Sequence, residues 1–171
     1  MKELEMIMTR RSVRRFTGEA VSAPLLEQIV RAGMSGPSAH GRRPCHIVTV
    51  EAATTRAALK PLCQWWQMLD KAAVVMVVCT DTALCTDMNS EYQVDDGAAA
   101  CENMLLAAHA LGLGGVWLGA CESDENGQKV KKALAIPEEM RLIAMLALGH
   151  PKEQPEQTER FNDQQWHHEK W

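Results

Sequence analysis

The chain lacks any long hydrophobic run. Its longest, Ala72 to Cys79, is far shorter than the roughly 20 apolar residues that cross a bilayer, so no membrane span is expected. It also lacks a basic excess. Lys and Arg total 18 against 22 Asp and Glu, for a formal net charge of -4, whereas an extended nucleic-acid face rests on a basic field. The six cysteines, at 45, 63, 79, 85, 101 and 121, form no CxxC pair, which argues against a zinc ribbon or a disulfide-stapled scaffold. Most sit among apolar neighbours and read as reduced core residues. Cys45 and His46 are adjacent, but neighbours on a strand point to opposite faces and share one ion poorly, so no metal site is expected. There is no nucleophile elbow or other hydrolase signature. The opening stretch MKELEMIMTRR mixes acids with apolar residues and holds no signal-peptide core, leaving the cytoplasm as the expected compartment.

What is present suffices for one domain. With 171 residues, 46% hydrophobic and 23% charged, the chain can bury about two thirds of its unfolded surface. The expectation is a single domain over residues 1–171, with a polar tail over 150–171. ELEMIMTRR places Leu4, Ile7 and Met8 at helical spacing. VSAPLLEQIVRAG predicts a helix capped by Ser22, with Pro24 in its first turn and Leu26, Ile29, Val30 and Gly33 on one face. A loop rich in Gly, Ser and Pro, MSGPSAHGRRP, leads into a strand, HIVTV. AATTRAALKPL reads as a helix stopped near Pro61. AAVVMVVC and RLIAMLAL are continuous apolar runs of strand length, predicted to be buried on both faces. The stretch from Asp96 to Leu111 is apolar nearly all round, with Glu102 and His109 two turns apart on its one polar stripe. Such a helix belongs at a domain centre or a subunit interface. GLGGVWLG holds a short strand and DENGQKVKKAL an exposed helix. The elements follow no strict β-α-β rhythm, which indicates an α+β fold with helices packed on a central sheet.

The stretch RRSVRRF sets four arginines around one serine in an otherwise acidic chain. Three readings compete. It is part of a nucleic-acid face, or a solvated helix end whose cations complement the macrodipole, or a pocket for one phosphate built from forked guanidinium donors and a hydroxyl. The residues alone leave these open, although the other basic residues are scattered among more numerous acids.

Four stretches, RRSVRRFTGEAV, AGMSGPSAHGRRPCHIVTV, DDGAAACENMLLAAHALGLGGVWLG and ALGHP with its tail, together resemble the FMN-dependent nitroreductase family. They occur in the family's order and cover most of the chain. The resemblance implies a nitroreductase-like α+β fold with a central mixed β-sheet flanked by helices. It implies a homodimer in which the C-terminal tail embraces the partner, FMN as cofactor, and NADH or NADPH as electron donor. By position, Arg10, Arg11, Ser12 and Arg14 would hold the flavin phosphate and ribityl chain, and Arg160 would return a cation to the phosphate. Pro37, Ser38 and His40 match the loop that reaches across the flavin of the other subunit. Gly115, Trp117, Leu118 and Gly119 match the backbone that runs along the ring near N5, and Gln64 and Gln67 match a segment on its pyrimidine side.

The implied reaction is ping-pong hydride transfer from the nicotinamide through flavin N5 to a small-molecule acceptor, a nitroaromatic or a quinone, with no catalytic side chain and no metal. The chain carries no N-terminal CxxCxxC stretch, so electrons are expected from a nicotinamide rather than an iron-sulfur partner. The alternatives are a flavin-binding storage or sensing protein without turnover and an enzyme of this fold with another specific substrate. Neither a nucleic-acid nor a membrane partner is expected.

Overall fold

An apolar run can be buried on both faces only inside a sheet, and the chain puts its two longest there. In the computed structural model, which describes residues 3–87, 89–120 and 124–171, four strands form one sheet. They are β1 (Cys45–Val50), β2 (Val74–Asp81), β3 (Gly114–Leu118) and β4 (Met140–Gly149), in the order β1-β2-β4-β3. The central pair, β2 and β4, is buried from Val74 to Thr80 and from Leu142 to Gly149. All strand pairs are antiparallel, which corrects the expected mixed sheet. The parallel component is a single bridge between Ser12 and Gly115, where the N-terminal segment touches the edge of β3.

Among the described residues, five helices flank the sheet: α1 (Glu3–Thr9), α2 (Ala23–Met34), α3 (Ala53–Leu59), α4 (Glu91–Ala110) and α5 (Glu125–Ala133). On one face Ile29 of α2 and Met104 and Leu105 of α4 share a core with Met76, Val78 and Leu146. On the other, Leu59, Trp66, Leu69 and Val130 join Val75, Val77, Met145 and Leu118. No helix among the described residues is long and apolar enough to cross a membrane. Cys79, Cys85 and Cys101 are buried, Cys45 and Cys63 are half-buried, and all five are free thiols; Cys121 lies outside the described residues.

A bulge on β4 fits α4 to the sheet. Val78 pairs with Ala144 and Cys79 with Leu142, which leaves Ile143 as the extra residue. Its side chain turns toward α4, where a Cβ on Gly97 would lie 2.6 Å from Ile143 Cγ1. Gly97→Val is therefore expected to destabilise the fold by about 1–3 kcal/mol through overpacking. A urea midpoint unchanged from wild type would contradict this close approach.

Three elements differ from the sequence reading. α4 starts at Glu91 rather than Asp96, because tertiary partners satisfy its polar first turns: Thr80 Oγ1 donates to the buried Gln93 Oε1 at 3.3 Å, and Arg141 Nη1 donates to Ser90 O at 2.6 Å. α5 is amphipathic rather than exposed, with Val130 and Lys131 buried. Ser22 occupies the cap position of α2, but its side chain makes no capping bond; its carbonyl accepts from Leu25 and Leu26 N–H instead. α1 forms as expected, yet Leu4, Ile7 and Met8 are all exposed in the single chain.

Candidate functional site

After α1 the chain runs extended between β3 and the start of the tail. Val13 N–H donates to Gly115 O at 2.9 Å and Lys152 N–H to Arg15 O at 2.8 Å, while Phe16 bridges to Pro151. Gly114 gives this seam its close approach, and Gly115 leaves room for a leucine of β4. A Cβ on Gly114 would lie 2.7 Å from Val13 Cγ1, and one on Gly115 would lie 2.7 Å from Leu148 Cδ2.

Beside the seam is a cavity of about 560 Å³ lined by Thr9, Arg10, Arg11, His109, Gly115 and Glu153, among others. From α4, Leu105 and His109 line it, and Glu102 holds Arg10 from behind. Arg10 Nε donates to Glu102 Oε1 at 3.2 Å, and Thr9 Oγ1 and His109 Nε2 are hydrogen-bonded at 2.9 Å. Burial lowers the His109 pKa below its ordinary value, and the Arg10 and Arg11 guanidiniums lower it further, which favours the neutral ring. Glu102 and His109 were visible in the sequence as a stripe, but no local signal joins them to Thr9 and Arg10, roughly a hundred residues away.

The arginines of the cluster divide their work. Arg10 faces the cavity wall. Arg11 also lines the cavity, but its guanidinium donates to four carbonyls: Met8 O at 2.8 Å, Arg10 O at 2.9 Å, and Glu156 O and Thr158 O at 3.2 Å. It thereby straps residues 156–158 of the tail to the N-terminal segment. Ser12 is half-buried, and Arg14 and Arg15 are exposed; the Arg14 backbone N–H donates to Glu153 Oε1 at 2.9 Å.

The other predicted residues fall into separate groups within the chain. Trp117 is 39% exposed, on the opposite face of β3 from the core residues Val116 and Leu118. The Leu118 side chain is thus spent on packing, leaving its backbone for any ligand. A Cβ on Gly119 would meet only open space, and β3 is the outermost strand of its sheet edge. Gln64 and Gln67 are exposed and bonded to each other, Gln67 Nε2 donating to Gln64 O at 3.1 Å. Arg160 is exposed and is not among the residues lining the cavity.

Pro37, Ser38 and His40 lie along α4 from the arginines, near its N-terminal end. A short 3₁₀ turn, Ala39–Gly41, places His40 at φ 51, a left-handed conformation that few side chains favour. Ser38 Oγ accepts from Arg43 N–H at 2.9 Å, and the Asp96 carboxylate accepts from Ala39 N–H at 2.8 Å. Asp96, where the sequence predicts a helix start, lines two cavities, of about 270 and 410 Å³. Cys45 borders the smaller one. Burial first, then the Asp96 and Cys85 charges, push its thiol up to about 11, and burial pushes Cys101 up to about 12. Both are protonated at neutral pH and unsuited to nucleophilic chemistry. Among the described residues no group of three or more His, Cys, Asp or Glu side chains is placed to hold a metal.

The family model described as Nitroreductase family matches residues 7–84 and 63–150. A protein of Archaeoglobus fulgidus, provisionally named NADH dehydrogenase/NAD(P)H nitroreductase, is 36% identical over 98% of this chain and 98% of its own length. A provisionally named nitroreductase of Desulfovibrio desulfuricans, solved in complex with FMN, is 31% identical with a TM-score of 0.88, covering 100% of this chain and 98% of that one. The NADPH:FMN oxidoreductase of Vibrio harveyi, solved with NAD+, is 26% identical with a TM-score of 0.85, covering 99% of this chain and 77% of that one.

Proposed function

We propose that this chain, which belongs to the nitroreductase family, is an FMN-dependent NAD(P)H oxidoreductase acting as a homodimer. The observation that carries the reading is the meeting of Arg10, Arg11 and Ser12 with Gly115 at the edge of β3. That donor set suits FMN: guanidiniums and a hydroxyl for a phosphate that carries nearly two negative charges, beside an outer strand that ends in the open space around Gly119. Bound FMN would supply the redox chemistry, hydride transfer from NADH or NADPH to a nitroaromatic or quinone in ping-pong fashion.

The chain's own residues bind and orient. Arg10 and Ser12 would hold the phosphate and ribityl chain, with Arg14 and Arg160 as further cations, and Arg11 secures the tail beside them. The backbone of Trp117, Leu118 and Gly119 would run along the ring, with Gln64 and Gln67 as polar groups for its pyrimidine side. Pro37, Ser38 and His40 line other cavities than Arg10 in the same chain, which supports their serving the flavin of a second subunit. A second copy would also cover the apolar face of α1 and the exposed Phe161, Trp166 and Trp171.

Purified protein is expected to be yellow, to release about one FMN per subunit on denaturation, and to be bleached within seconds by NADH or NADPH without oxygen. Colourless protein that binds no added FMN would overturn the reading. Stable yellow protein that neither nicotinamide reduces would make it a flavin-binding protein without turnover.

A further inference from the structure

We propose that Asp96 is a positioning residue that holds residues 37–41 in the form that meets the flavin. The inference rests on the reading that this segment reaches the cofactor of a second subunit.

Asp96 is 4% exposed and is the only buried acid among the described residues. A carboxylate is costly to bury, so its retention calls for a task. One oxygen accepts from Ala39 N–H at 2.8 Å, whereas Oδ2 is buried with no hydrogen-bond partner among the described residues. The carboxylate therefore grips the segment through the Ala39 amide. His40 and Arg43 both adopt left-handed backbone, at φ 51 and φ 53, a conformation that neither residue favours. The bonds from Gly41 N–H to Ser38 O and from Arg42 N–H to Ala39 O are internal, as is that from Arg43 N–H to Ser38 Oγ. They shape the turn without tying it to a helix. The Asp96 bond makes that tie, to a rigid helix 20 residues long, and so sets where Ser38 and His40 point.

Three variants test the bond from both sides. Asp96→Asn keeps an oxygen for the Ala39 amide, Asp96→Ala removes it, and Ala39→Pro removes the donor. Proline fits at 39, because Ser38 at φ -139 and ψ 147 already has the extended backbone required before proline, and the first residue of a 3₁₀ turn has proline's φ. The readouts are the FMN dissociation constant from flavin fluorescence, the visible circular dichroism of bound FMN, and the thermal midpoint of flavin-free protein.

Loss of one hydrogen bond to a carboxylate corresponds to about tenfold or more in affinity. Asp96→Ala and Ala39→Pro should weaken FMN by that factor and alter the dichroism, and Ala39→Pro, which leaves the buried carboxylate without its bond, should also lower the midpoint by a few degrees while the protein stays folded. Asp96→Asn should stay close to wild type in both flavin readouts. If Asp96→Ala does not fold, the other two variants carry the test. Ala39→Pro that binds FMN as wild type does, with the same dichroism, would overturn the inference alone. So would Asp96→Asn that fails as badly as Ala39→Pro, because the charge and not the bond would then matter. Wild-type protein that binds no FMN would instead overturn the functional reading beneath it.

Discussion

Removal of residues 159–171 is expected to break the dimer and weaken FMN binding together. The tail has two parts with different attachments. Residues 151–158 are strapped to their own chain by the Phe16–Pro151 bridge, the Lys152–Arg15 backbone bond and the Arg11 guanidinium. Beyond Thr158 every residue is exposed. The aromatic rings there touch mainly one another: Phe161 meets Trp166 edge-on at 5.8 Å, and His167 stacks on Trp171 at 4.3 Å. Rings of this size each bury about 150–250 Å² when they find a surface, worth about 4–6 kcal/mol apiece at about 25 cal/mol per Å² before the costs of association. A surplus of about 3 kcal/mol from the three would shift the dimer dissociation constant by at least about a hundredfold. Truncation after Thr158 isolates this contribution, since it spares the strap; truncation after Gly149 removes both parts and should also loosen the N-terminal segment. Sedimentation on dilution and flavin titration give the answer. A protein ending at Thr158 that stays dimeric with wild-type FMN affinity would strike the tail aromatics and Arg160 from the interface and the site.

Arg10→Ala is expected to weaken FMN binding by about tenfold to a hundredfold, the loss of about 1.5–3 kcal/mol for a hydrogen bond between charged groups. Arg10 is the arginine of the cluster best placed for this. Its side chain is 19% exposed, against 45% for its partner Glu102, so an incoming phosphate competes for a guanidinium already shielded from water. Arg10→Lys should recover only part of the loss, because an ammonium cannot form the forked contact. Arg31→Ala serves as control, since Arg31 pairs with Glu27 on the exposed side of α2. Arg11→Ala should act differently and release the tail, raising proteolysis near residue 158 along with the FMN dissociation constant. If Arg10→Ala and Arg31→Ala titrate alike, the basic cluster is a solvated surface and the phosphate belongs elsewhere.

Much of this architecture was legible before folding. The runs around Val74–Cys79 and Leu142–Leu148 carry no polar residue that could face water, so their burial on both faces follows from composition alone. Leu26, Ile29 and Gly33 recur at helical spacing, and the face they define is the buried one. The arginine cluster stood out by charge, and its chemistry narrowed the ligand to an anion. In each case the signal lies within a few residues, where backbone periodicity and side-chain type suffice.

Other features depend on residues distant in sequence and are set by strand order and helix placement. Because α4 lies across the sheet between the N-terminal segment and the loop at 37–41, His109 reaches Thr9 and Asp96 reaches Ala39. Burial of Gln93 against Thr80, with the bond from Arg141 to Ser90 O, extends α4 through a stretch that reads locally as polar. Arg11 illustrates the same point: its sequence context marks a cation for a phosphate, yet in the folded chain it clasps carbonyls nearly 150 residues away. The apolar spacing of α1 specified a helix correctly and was silent on what covers it. Periodicity encodes which face of an element avoids water, whereas the identity of the covering surface is a long-range choice made by how the elements, and the subunits, pack.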